Sequence, residues 1–183
     1  MAKKGAKLEL VPPADNKKVI RIVSESAQLQ HINHRTEGNK EAPVRALDLK
    51  FKCVVPSTLL QTLCGSDDVP PLWNADGSLR YVGLTSFNHR AILKDCRFEF
   101  GDMVQQPIKL AGVKAKGFNF NLAQGNALQL TFKVQISNPT DAELLELSHA
   151  ILLTAQLMVE CEFGIQLGDD KDEDQGDMLE DGE

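Results

Sequence analysis

Between Leu128 and Ile136 every second residue is apolar: Leu128, Leu130, Phe132, Val134 and Ile136 alternate with Gln129, Thr131, Lys133 and Gln135. A period of two puts one set on each side of an extended backbone, which is the pattern of a strand buried on one face. The preceding stretch alternates likewise over Phe118, Phe120 and Leu122, with Lys114 and Lys116 just upstream. Gly125-Asn126, between the two, tolerates the positive φ that a short hairpin loop requires. Residues 106–137 are therefore a predicted β-hairpin, and the rest of the chain is expected to pack around it.

Residues 45–54 carry a second clean alternation, with Leu47, Leu49, Phe51 and Cys53 inward against Asp48, Lys50 and Lys52. Residues 91–100 carry a third, with Cys96, Phe98 and Phe100 against Asp95, Arg97 and Glu99. Residues 19–23 and 27–33 read as two strands joined by a Ser24-Glu25-Ser26 turn; Leu29 and His31 share one face, and Gln28, Gln30 and Ile32 the other. Residues 34–43 are polar, hold both Gly and Pro, and read as a loop. Residues 66–78 are turn-rich, and 79–84 look like a strand. In 155–167, Leu157, Val159, Cys161 and Phe163 alternate with Met158, Glu160 and Glu162.

Two segments have helical spacing instead. Residues 56–64 place Leu59, Leu60 and Leu63 on one stripe, with Gly65 as the stop. Residues 141–154 do the same with Leu144, Leu145, Leu147 and Ile151, and Thr140 with Glu143 fits a capping box. Strands and helices do not alternate, so a parallel sheet is not expected. The expected fold class is α+β: mainly an antiparallel β-sheet, or a small barrel or sandwich, with two short helices, in one domain over 18–167.

Composition adds little until charge is divided along the chain. Of 183 residues 42% are apolar and only 5% aromatic, so the core rests on Leu, Val and Ile. No apolar run approaches the roughly 18 residues of a membrane span, and the basic start of the chain lacks the apolar stretch of a signal peptide. The four cysteines, at 53, 64, 96 and 161, form no Cys-x-x-Cys pair and match no zinc or disulfide framework. Residues 168–183 hold nine acids, among them Asp169, Asp170, Asp172, Glu173, Asp174 and Asp177, against Lys171. That segment carries −8, which leaves +2 of the total −6 on residues 1–167. Residues 168–183 are thus expected to be a disordered acidic tail with a regulatory role, and 1–17, with Lys3, Lys4, Lys7 and Lys17, a flexible basic arm.

No phosphate loop, nucleophile elbow or metalloprotease helix is present, and no catalytic residue, metal or cofactor is expected. His31 and His34 are three apart but straddle the end of a strand-like segment rather than one face of a helix. What remains is a set of cations on outward strand positions: Lys50, Lys52, Lys109, Lys114, Lys116 and Lys133. A sheet face with spaced cations and nearby rings is how small β-domains hold single-stranded nucleic acid. Trp73 and Tyr81 are the candidate stacking rings, because Phe118 and Phe120 share a side with the core. The alternative is that these lysines only solvate strands and guard edges, and that the tail only solubilises.

Two stretches carry a resemblance. Arg35-Thr-Glu-Gly-Asn-Lys-Glu-Ala-Pro-Val-Arg-Ala-Leu-Asp-Leu-Lys-Phe51 has an arginine-glycine loop followed by an Asp-Leu-Lys strand; Lys116-Gly-Phe-Asn-Phe-Asn-Leu122 and Leu130-Thr-Phe-Lys-Val-Gln135 precede Asn138-Pro139 and a helix. Over roughly residues 30–163 this resembles an uncharacterised protein family of tailed bacteriophages and prophages. Those proteins place His before the loop glycine where this chain has Glu37, so no role of that histidine carries over. The family occurs among replication and recombination genes, and the resemblance implies DNA metabolism without implying any catalytic residue. The expected function is that of a non-enzymatic phage-type accessory protein in the bacterial cytoplasm. It would bind single-stranded DNA or a DNA-processing partner, with replication or recombination proteins recruited by the tail. The alternative is a protein-interaction module, either an inhibitor of a host protein or a small structural component.

Overall fold

The alternating segments form strands because each can bury one face only by pairing edge to edge and closing around a shared interior. A computed structural model of the protein describes residues 19–39, 41–64, 71–81, 83–102, 106–122 and 127–161, with the backbone of 166–167. In chain order the elements are β1 (Ile20–Glu37), β2 (Val44–Pro56), α1 (Thr58–Cys64), β3 (Ser86–His89), β4 (Ala91–Gly101), β5 (Ile108–Leu122), β6 (Ala127–Ser137), α2 (Asp141–His149), β7 (Thr154–Cys161) and β8 (Gln166–Leu167). Every pairing is antiparallel. The ladder runs β1-β2-β6-β5-β4-β7 and returns to β1, a closed six-stranded barrel.

Closure depends on two long strands that turn corners. β1 pairs with β7 over its first half and with β2 over its second. β5 pairs with β4 from Ile108 to Ala115, then with β3 from Phe118 to Asn121. The bends fall at bulges, where an extra residue increases local twist. In β5 one lies between Lys116 and Asn119, where Gly117 takes φ +67°. That extra residue switches the inward set from Val113 and Ala115 to Phe118 and Phe120.

The interior holds the expected Leu, Val and Ile with a chain of rings among them. Phe118 stacks on Phe132 at 5.6 Å, Phe132 meets Phe51 at 6.0 Å, and Phe51 meets Phe98 and Phe100 at 5.5 and 5.1 Å. A six-stranded barrel is narrow enough for side chains to fill it completely, so this core leaves no lumen for a ligand. α1 leaves the end of β2 and α2 the end of β6, which lie at opposite ends of the antiparallel pair. Leu59, Leu60 and Leu63 of α1 and Leu147 of α2 join the core.

Several expectations are corrected. Ser24-Glu25-Ser26 is not a turn: the chain stays in β1, and only the register against β7 slips between Ser24 and Ala27. A second slip between Leu29 and His31 separates the faces of those residues, so Leu29 is buried while His31 is exposed. β1 also runs on to Glu37, which shortens the predicted 34–43 loop. The strand predicted at 79–84 is absent. Leu79 makes an isolated bridge to Trp73, and the strand forms instead at β3, where Phe87 stacks on Phe120 at 5.2 Å. The capping box of α2 is present, with the Glu143 N–H donating to Thr140 Oγ1 at 3.2 Å. The helix nevertheless ends at His149, because the Leu152 N–H donates to the Leu29 carbonyl of β1 at 2.8 Å. Leu145 and Ile151, predicted on its buried stripe, are exposed. The predicted positive-φ loop at Gly125-Asn126, the Gly65 stop, Phe163, the basic arm and the acidic tail lie outside the described residues.

Candidate nucleic-acid interface

The two corner strands divide the outer surface into two walls of different electrostatic character. One is formed by the first half of β1 with β7, β4 and the start of β5. Its outward charges are Arg21, Lys94, Arg97 and Lys109 against Glu25, Asp95, Glu99 and Glu160, four of each sign. Most of them pair: Glu160 sits between Arg21 and Arg97, and Lys109 lies 3.7 Å from Glu99. This wall is neutral.

The other wall is formed by the second half of β1 with β2, β6 and the rest of β5. Its outward charges are Arg35, Lys50, Lys52, Lys114, Lys116 and Lys133 against Glu37 and Asp48, a net +4. Register aligns part of this set. His31 lies opposite Lys50, Lys50 opposite Lys133, and Lys133 opposite Lys116. The row crosses four adjacent strands and spans three interstrand steps, roughly 14 Å. None of its three lysines has an ion pair among the described residues. Like charges placed directly opposite on a sheet are destabilising, so the row is kept against a cost in stability.

The acids on this wall are engaged elsewhere. Asp48 Oδ1 accepts from Arg35 Nε at 2.7 Å and from Gln135 Nε2 at 3.0 Å. The Ser137 hydroxyl donates to Glu37 Oε2 at 2.6 Å; this bond, aided by Arg35 against the cost of partial burial, holds the Glu37 carboxyl below its ordinary range. On the far side of the row lies an uncharged polar strip. Lys52 is opposite Thr131, Thr131 opposite Asn119, and Asn119 opposite Asn88. Asn119 Nδ2 donates to Asn88 Oδ1 at 2.6 Å, and Asn121 Nδ2 donates to Asn119 Oδ1 at 3.2 Å.

Of the residues expected on the interface, Lys50, Lys116 and Lys133 meet in the row, with Lys52 and Lys114 one step to either side on the same wall. Lys109 is on the neutral wall, ion-paired, and does not belong to the set. Trp73 is only 9% exposed and packs in the core, so it offers no face for stacking; Tyr81 is 45% exposed. Sequence reading missed His31 and the Asn88, Asn119 and Thr131 strip, which local alternation alone could not align with the lysines. His31 and His34 fall on opposite faces of β1, opposite outward Lys50 and inward Leu47. Among the described residues no group of three or more His, Cys, Asp or Glu could hold a metal, and no helix is long and apolar enough to cross a membrane. Cys53, Cys96 and Cys161 are buried thiols outside any disulfide among the described residues, and burial pushes the pKa of Cys53 and of Cys96 up to about 12. Comparison with known protein families, curated proteins and solved structures finds no match for this chain.

Proposed function

We propose that the β1–β2–β6–β5 wall binds single-stranded nucleic acid, single-stranded DNA in the first instance, and that the protein acts without catalysis. The observation that carries this reading is the row His31–Lys50–Lys133–Lys116. Its three lysines are without ion pairs among the described residues and lie on the outer face of the barrel, beside amides and a hydroxyl that can meet base edges. A single strand is flexible enough to follow this curved wall with its phosphates along the cations. The reading extends to an accessory role in replication or recombination in the bacterial cytoplasm, and the reduced, buried thiols are in keeping with that compartment.

Fluorescence anisotropy with a labelled oligonucleotide at several salt concentrations tests it. Three or four neutralised phosphates should give a slope of log affinity against log salt of roughly −2 to −3, because released counterions drive the binding. Reversing the row with Lys50→Glu and Lys133→Glu together should abolish that binding while leaving the fold intact. Absence of binding at low salt, or binding untouched by the reversal, would sink the proposal.

A second reading has one specific observation in its favour. Leu152 takes φ +64° with its N–H held by Leu29 and its carbonyl accepting from Gln28 Nε2 at 3.4 Å. The side chain is thereby fixed in solvent at 65% exposure, next to exposed Ile151 and Leu153. Leu153 also lines a groove of about 780 Å³ between the end of α2 and the start of β5. Exposed aliphatic groups held in this way mark contact surfaces, which fits a protein-interaction module. A protein that fails to bind oligonucleotides but keeps this patch would favour that reading.

A further inference from the structure

We infer that the cationic wall is also the docking surface of this chain's own acidic segment, residues 169–183, which competes there with nucleic acid. The inference rests on the reading of that wall as a nucleic-acid interface and adds an occupant to it.

Charge complementarity is the first ground. The segment holds nine acids against Lys171, and the wall carries net +4 with its row unpaired among the described residues. The opposite wall, neutral and ion-paired, offers no comparable site.

The second ground is where the described residues end. The last described strand, β8, pairs Leu167 with Ala91 and Gln166 with Ile92. Ala91 lies two residues beyond His89 of β3, and His89 is opposite Phe118 of β5. Lys116, the end of the row, is two residues before Phe118. Asp169 therefore follows by two residues a point that lies one neighbouring strand from the β3–β5 pair. Fifteen residues can extend over about 50 Å at roughly 3.3 Å each, several times the span of the row.

A tethered ligand acts at an effective concentration in the millimolar range for short linkers, so weak contacts suffice to compete. With a segment affinity in the range of about 0.1–1 mM, competition at that effective concentration should weaken nucleic-acid binding about two- to tenfold. The effect should vanish near 1 M salt, where the Debye length is about 3 Å.

Carbodiimide coupling of the full chain at low salt, followed by proteolysis and mass spectrometry, tests the contact without any nucleic acid. Amide links from acids of 169–183 to Lys50, Lys116 or Lys133 within one molecule are expected; all should be lost at 1 M salt, and the link to Lys116 should weaken in Lys50→Gln/Lys133→Gln. Their absence, their concentration on Lys109, or their formation only between molecules would overturn the inference. A second arm uses the full chain with the nine acids changed to Asn and Gln. It should bind oligonucleotide more tightly than the parent at low salt, and equal affinity at every salt concentration would overturn the competition. Crosslinks without oligonucleotide binding in either form would instead leave the docking intact and sink the proposed function alone.

Discussion

At the scale of single residues, Gly117 decides what the cationic wall presents. Its φ of +67° lies in the left-handed region, and an added Cβ would meet nothing within 4 Å. The requirement is therefore conformational rather than steric crowding by neighbours. Holding an alanine there should cost about 1–2 kcal/mol. Gly117→Ala is expected to lower stability by that amount in urea denaturation; no loss would mean that the bulge tolerates ordinary backbone. The same residue sets the phase of β5, with Lys116, Asn119 and Asn121 outward and Phe118 and Phe120 inward. A flipped phase would put two rings on the surface and the amides in the core. The glycine was visible in the sequence, but its role in the bulge was not, because a positive φ in mid-strand is imposed by the partner strands.

At the scale of elements, the row across β1, β2, β6 and β5 sets stability against the proposed binding. Lys133 has Lys50 on one side and Lys116 on the other, each directly opposite. Removing its charge relieves both repulsions. Lys133→Gln should raise stability by up to about 1 kcal/mol, most at low ionic strength where screening is weakest, while weakening oligonucleotide binding. Parallel denaturation and anisotropy measurements check both signs at once. A variant that loses stability would mean that the Lys133 stem packs in a way that outweighs the repulsion. The neutral wall makes the contrast: Glu160 sits between Arg21 and Arg97, so charge there is arranged for pairing.

At the scale of the whole molecule, closure makes the core common to every strand. Phe132 touches both Phe118 and Phe51, and through Phe51 the rings of β4. Phe132→Ala should cost about 3–5 kcal/mol, the range for a buried Phe losing its ring. Because the six strands share one interior, the loss should appear as one shifted transition rather than a separate early melt. A thermal melt showing two steps would mean that the walls unfold independently and that the barrel is not the cooperative unit.

What the sequence determined by itself is local and periodic. Alternation assigns inward and outward faces over β2, β6 and the part of β4 from Asp95 to Phe100, and Thr140 with Glu143 marks the start of α2, because these patterns depend only on backbone geometry a few residues long. The tertiary structure decided whatever depends on partners distant in the chain. Lys50 and Lys133 are 83 residues apart, and nothing in either strand distinguishes them from Lys109 until register places the first two opposite each other and the third beside Glu99. The same holds for β1, which stays extended through Ser24-Glu25-Ser26 because β7 pairs with it on both sides of the register slip there. It holds for α2, which stops short because β1 takes the Leu152 N–H. Backbone groups must be satisfied somewhere, and in a closed barrel the neighbouring strand, not the local sequence, determines where.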